Sequence, residues 1–147
     1  MPNGSTHTRA TVRLSILLTV SSILYVPQLS VASLFLIPGC LLGILVTPDL
    51  DVDDGSYSYY LIRKHLGRFP CWLWKMFWLI YARSIPHRSI LSHGPIIGTM
   101  IRVIYIIILT GGCCLLAPTL FNTTPVWFFI GGLALADLLH ELMDAFS

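Results

Sequence analysis

No charged residue and no histidine occurs anywhere in positions 14–46, a run of 33 residues. A helix that crosses a bilayer needs roughly 20 apolar residues, so this run suits two spans broken near Pro27. The composition agrees, since 55% of the chain is hydrophobic, only 11% is charged and the mean hydropathy is +0.77, well to the oily side of an average soluble domain. Two further apolar runs, 95–117 and 126–146, flank "PTLFNTTP", whose prolines and polar centre favour a tight turn. The expected architecture is therefore all-α. It is a single membrane domain over 1–147, a four-helix transmembrane bundle with spans at about 6–25, 29–46, 95–117 and 126–146. A cleaved signal peptide accounts less well for the start, because apolarity continues far beyond any small-residue cleavage site.

The nine Lys and Arg residues orient these spans. Arg9 and Arg13 stand at the start, Arg63, Lys64, Arg68, Lys75, Arg83 and Arg88 lie between spans two and three, and Arg102 lies within span three. The two opposite turns have none, so the positive-inside rule puts both termini and the 47–94 segment in the cytoplasm. Within that segment "PCWLWKMFWLIYARS" reads as an interfacial helix at headgroup level, or alternatively as a short helix packed on the bundle. Cys40, Cys71, Cys113 and Cys114 show no CxxC spacing and read as apolar packing.

The polar residues that remain converge on the cytoplasmic side. His7 precedes span one, "PDLDVDDG" with Asp49, Asp51, Asp53 and Asp54 follows span two, His87 and His93 precede span three, and "DLLHELMD" ends span four. In that last stretch Asp137, His140 or Glu141, and Asp144 share a helical face at i, i+3, i+4 and i+7. Such a set of imidazoles and carboxylates is a candidate site for a divalent metal, with zinc suited to N and O donors and magnesium or manganese to oxygen. Asp137 has another possible partner, because Arg102 stands at a similar depth in span three and an ion pair would offset the cost of burial. Each element also has a plainer reading: an acidic turn, interfacial histidines, a polar collar.

The ordered set of His7, "PDLD", "HRSILSH" and "DLLHELMD" resembles the bacterial family of small membrane-bound metal-binding proteins close to the YdjM-like inner-membrane metal-dependent hydrolases, over nearly the whole chain. Those families are in turn distantly similar to zinc-dependent phospholipase C and single-strand nucleases. The resemblance implies Asp49, Asp51, His87, His93, His140 and Asp144 as metal ligands, with His7 matching the family's early histidine. The expected function is hydrolysis of a phosphoester, plausibly of a membrane lipid, at the cytoplasmic face. Asp53 or Glu141 would serve as general base and Arg88 would clamp phosphate oxygens. The competing expectation is a non-catalytic metal-binding membrane protein, a sensor or assembly factor. Nucleic acid is not an expected partner, and the sequence names no protein partner.

Overall fold

A computed structural model describes residues 4–25, 31–52, 55–111 and 123–146. These residues are helical, and no strand occurs among them. Helix α1 covers Gly4–Tyr25. A 3-10 turn at Val31–Phe35 leads into α2, Leu36–Leu42, and a second 3-10 turn at Pro48–Asp51 precedes α3, Tyr57–His65, and α4, Arg68–Ser84. The single turn α5, Ile90–His93, leads to α6, Ile97–Leu109, and α7 covers Thr124–Ala145. The expected break at Pro27, Asp53 and Asp54, Cys113 and Cys114, and most of "PTLFNTTP" lie outside the described residues.

The closest helix pair is α2 against α7, and glycine makes it possible. A Cβ on Gly39 would collide with the Phe129 carbonyl oxygen, one on Gly132 with that of Leu36, and one on Gly43 with Cβ of Ala136. Gly39 and Gly43 on one helix thus face Gly132 and Ala136 on the other, both pairs at i, i+4. That small-residue spacing lets helices approach to backbone contact, as it commonly does within membranes.

Helices α1 and α6 bury polar side chains while exposing large apolar ones, and α7 buries Asp137 and His140 beside Ile130 and Leu133. Helix α1 buries His7, Thr11, Ser15 and Ser22 while exposing Val12, Ile16, Leu17, Val20 and Leu24. Its hydroxyls can be buried because each donates to a carbonyl one turn back: Thr11 to His7 (3.1 Å), Ser15 to Thr11 (2.9 Å) and Ser22 to Leu18 (2.8 Å). Helix α6 buries Gly98, Thr99 and Arg102 and exposes Ile97, Ile104 and Ile108. Helix α7 buries Asp137 and His140 and exposes Trp127, Leu135, Leu138 and Leu142.

Among the described residues one helix, Thr124–Ala145, is long and apolar enough to cross a membrane; Val31–Leu42 and Ile97–Leu109 are apolar but shorter. The run expected as span two, 29–46, is helical only to Leu42, because Gly43 to Val46 turn away toward Pro48. The 47–94 segment has a core of its own. Leu50, Tyr59, Ile62, Cys71, Trp78 and Tyr81 pack with Val46 and Leu133, and Trp78 stacks on Tyr105 of α6 with ring centroids 5.3 Å apart. The aromatic stretch expected as an interfacial helix is α4, which packs Cys71, Trp78 and Tyr81 inward and leaves Phe69, Trp72, Leu73, Met76 and Ile80 exposed. Gly67, with φ of 98°, makes the sharp turn into it from α3.

Two adjacent glycines test the α2–α7 contact. A Cβ on Gly131 would meet only Cδ2 of Leu36 at 3.6 Å, an ordinary contact. Gly132→Ala is expected to lower the thermal unfolding midpoint in detergent, by the equivalent of about 2 kcal/mol, whereas Gly131→Ala is expected to leave it unchanged or raise it. Equal behaviour of the two variants would argue against the close helix approach.

Candidate metal centre

The 3-10 turn Pro48–Asp51 is the hinge of the site. Thr47 caps it by accepting a hydrogen bond from the Asp49 amide (3.1 Å), and Pro48 takes the first position, where no N–H is needed. With about three residues per turn, Asp49 and Asp51 leave this element in different directions. Asp49 faces α7 and Asp51 faces the 86–93 segment.

Asp51 has a completely buried side chain. Its Oδ1 lies 2.8 Å from His87 Nδ1, and its Oδ2 accepts from the Arg88 amide (3.2 Å) and lies 3.5 Å from His93 Nδ1. Arg88 adopts a left-handed conformation with φ of 59°, a backbone state costing a non-glycine residue on the order of 1 kcal/mol. His93 is further held by the Ser92 hydroxyl, 2.9 Å from Nδ1. With Nδ1 engaged on this side, Nε2 of His93 is turned toward Asp49, with 3.7 Å between Nε2 and Oδ1.

The same Asp49 oxygen lies 3.4 Å from His140 Nε2. His140 also stands 3.6 Å from Asp144 Oδ2 through Nε2, and its ring stacks on that of His7 with centroids 3.9 Å apart. His7 completes the arrangement with Nε2 at 3.2 Å from Asp144 Oδ1. Three triads result: His7, His140 and Asp144; Asp49, His93 and His140; Asp51, His87 and His93. They share His93 and His140, so they form one continuous cluster. All seven residues expected as ligands are in it.

This donor set fits a divalent metal. His93 Nε2 and His140 Nε2 are buried and have no hydrogen-bond partner, an expensive state for two imidazole nitrogens that face one carboxylate. Their separations from Asp49 are too long for hydrogen bonds, yet close to the edge of about 3.3 Å that zinc–ligand distances of ~2.0 Å give to a tetrahedron. Burial would raise the carboxyl pKa of Asp49, but the adjoining His140 and His93 outweigh it and hold the group well below the usual carboxylate range. Asp49 thus stays ionised, as a ligand must. Asp51 meets His87 at Nδ1, the arrangement in which a carboxylate commonly orients a metal-site histidine, and it also belongs to the third triad.

A cleft of about 500 Å³ opens on one side of the cluster, where His7, Asp49, His87, Arg88 and Asp144 line it. The other side is closed by buried His93 and His140. Of the remaining candidates, Asp53 lies outside the described residues. Glu141 is not among the residues lining the cleft. One position after His140, it points about 100° away round α7, so the structure gives no support to its role as general base. His65 is exposed at the end of α3, away from the cluster.

Asp137 stands apart. It accepts hydrogen bonds from Arg102 and Thr99, and Arg102 is completely buried and also donates through Nη1 to the Ser92 carbonyl (2.7 Å). The ion pair is thus the partner of Asp137, and it anchors the residue next to His93. Sequence reasoning missed Ser92 and Thr99, whose type alone carries no signal until their neighbours are known.

Asp137→Asn is expected to destabilise the fold by roughly 3 to 5 kcal/mol by leaving Arg102 uncompensated, and Asp137→Asn with Arg102→Met is expected to recover part of that loss. Thermal unfolding of the single and double variants checks this; a double variant as unstable as the sum of its parts would show that the two do not act as a pair.

No curated protein matches the chain, and no solved structure matches it. The family model described as "Uncharacterized metal-binding protein (DUF2227)" matches residues 2–124. That span includes His7, Asp49, Asp51, His87 and His93, which with His140 and Asp144 beyond it make up the groups among the described residues that could hold a metal ion. The chain belongs to the DUF2227 family of metal-binding proteins.

Proposed function

We propose that the protein is a membrane-embedded, metal-dependent hydrolase of phosphoesters, working at the cytoplasmic face of a bacterial inner membrane. The observation that carries the catalytic part is the cluster's asymmetry. Two of its imidazoles, His93 and His140, are buried at the back, and His7, His87, Asp49, Asp144 and Arg88 line an open cleft at the front, whereas a purely structural site is closed all round. The membrane part rests on α1 and α6, which bury hydroxyls and a charge and expose Ile, Leu and Val. It also rests on the contact of His7 with Asp144, which brings the start of α1 and the end of α7 to one side of the bundle. The basic residues of the 47–94 segment favour the cytoplasm as that side.

Zinc suits the mixed nitrogen and oxygen donors best, with magnesium or manganese as alternatives. When bound, a divalent ion supplies Lewis acidity toward a phosphoryl group and acidifies water at neutral pH. The chain's own residues do the rest. Asp49, His93 and His140, with His7 and Asp144, hold the ion. Asp51 fixes the ring of His87 by its Nδ1 atom, and the Ser92 hydroxyl fixes that of His93. His87, partly exposed in the cleft, keeps Nε2 for accepting a proton, and Arg88 orients phosphoryl oxygens through its guanidinium. The burial of His93 and His140 also suits a second reading, a non-catalytic metal-binding protein that senses metal or assists assembly.

Elemental analysis of detergent-purified protein, before and after chelation, is the first test. His140→Ala is expected to lose most bound metal while the helices remain folded. Metal retained by that variant would remove His140 from the ligand set. Occupancy in the wild type is expected to fall on acidification, since protons compete for the imidazole nitrogens. Metal-dependent hydrolysis of an aryl phosphate or phosphatidate, lost on chelation, separates the enzyme from the sensor.

A further inference from the structure

The cleft is lined by more than the metal cluster. Arg63 from α3 and Lys75 from α4 enter it together with Arg88, so three of the chain's nine Lys and Arg residues share one concavity. They come from three separate places in the fold: α3, α4 and the segment that precedes α5. Lys75 stands over the Tyr59 ring, 5.5 Å from its centroid, and is thereby held at the wall. Among the described residues, Asp49 and Asp144 line the same cleft and lie against His140, His93 and His7. A smaller groove continues outward across Arg63, Cys71 and Lys75 to Arg68 and Trp72. Beyond it lies the exposed apolar face of α4, with Phe69, Leu73 and Met76.

We infer that Arg63 and Lys75, with Arg88, form a binding site for a phosphomonoester group that adjoins the metal cluster within one cleft. This rests on the phosphoester reading above and deepens it by giving the substrate class as a terminal phosphate dianion. Guanidinium forks match phosphate oxygens in pairs, and the Lys75 ammonium adds a third donor from a separate helix. The cleft volume suits a small ligand or headgroup. The basic groove toward Trp72 supplies a path by which the phosphate could be carried on a lipid whose chains remain with the apolar face of α4.

The test uses the full chain in detergent, both metal-loaded and chelator-treated, titrated calorimetrically with inorganic phosphate, with dihexanoyl phosphatidate and with dihexanoyl phosphatidylcholine. Wild type is expected to bind the first two. Arg63→Gln with Lys75→Gln is expected to weaken that binding tenfold or more in both preparations while leaving metal content unchanged. Arg63→Lys, which keeps the charge, is expected to bind more tightly than Arg63→Gln, and Arg9→Gln, an exposed charge on α1 outside the cleft, is expected to match wild type. Phosphatidate bound more tightly than inorganic phosphate supports the site with a lipid as the source; equal affinities support it with a free phosphate compound. Phosphate binding that needs Arg63 and Lys75 in a chain found to hold no metal upholds the site and sinks the metal reading alone. Absence of phosphate binding by wild type in both preparations, or a double variant that binds as wild type does, overturns the proposal.

Discussion

Arg102 is completely sequestered from the surroundings, and a guanidinium at that depth is tolerable only if its charge is matched on the spot. Asp137 provides the match, Thr99 shares the same carboxylate oxygen, and the Ser92 carbonyl takes a second guanidinium nitrogen. Through one side chain α6 is tied to α7 and to the short turn α5. That tie sets the depth of His93, one residue from Ser92, against His140, one helical turn from Asp137. The metal cluster is therefore built next to a charge pair that it does not include, and the pair has the rigidity that a set of ligands needs if it is to be positioned to within fractions of an ångström.

The glycine contact between α2 and α7 works at the other end of the same lever. Bringing the backbones together at Gly39, Gly43 and Gly132 fixes where the chain leaves α2, and the Gly43 to Val46 turn then delivers Pro48–Asp51 against the end of α7. A bulkier residue on that seam would push the acidic turn outward. Packing that looks remote from the site thus determines whether Asp49 can face two imidazoles at once.

Much of this was legible in the chain before any coordinates. The placement of the polar groups at the same ends of the apolar runs follows from counting residues and charges, and the helical spacing of Asp137, His140 and Asp144 puts them on one face. Helix rise alone makes Arg102 a candidate partner for Asp137. Other features could not be read. Asp49 and Asp51 look equivalent in "PDLD", and only the 3-10 geometry separates a carboxylate that faces two open imidazole nitrogens from one that braces the rings behind them. Glu141 was read as a base because its type is right, but its angular position on α7 turns it from the cleft. Arg63 and Lys75 resemble an ordinary basic belt until α3 and α4 fold back over the acidic turn. The lengths of the apolar runs suggested four spans, whereas turns shorten the second run, and among the described residues one helix, Thr124–Ala145, is both long and apolar enough to cross a membrane.

The cluster draws on α1, the acidic turn, the segment around α5, and α7, so neighbours in space are far apart in the chain. Such a centre has no local precursor. While the protein is being made, His7 and the "PDLD" turn are out early, with neither imidazole of the later segments to meet, and an ion reaching them then would find only a weak and partial site. Tight capture waits for α7 to slot against α2 and bring His140 and Asp144 alongside. Metal retention would thereby report on completed assembly, because two of the three triads contain His140 and form only once α7 is in place.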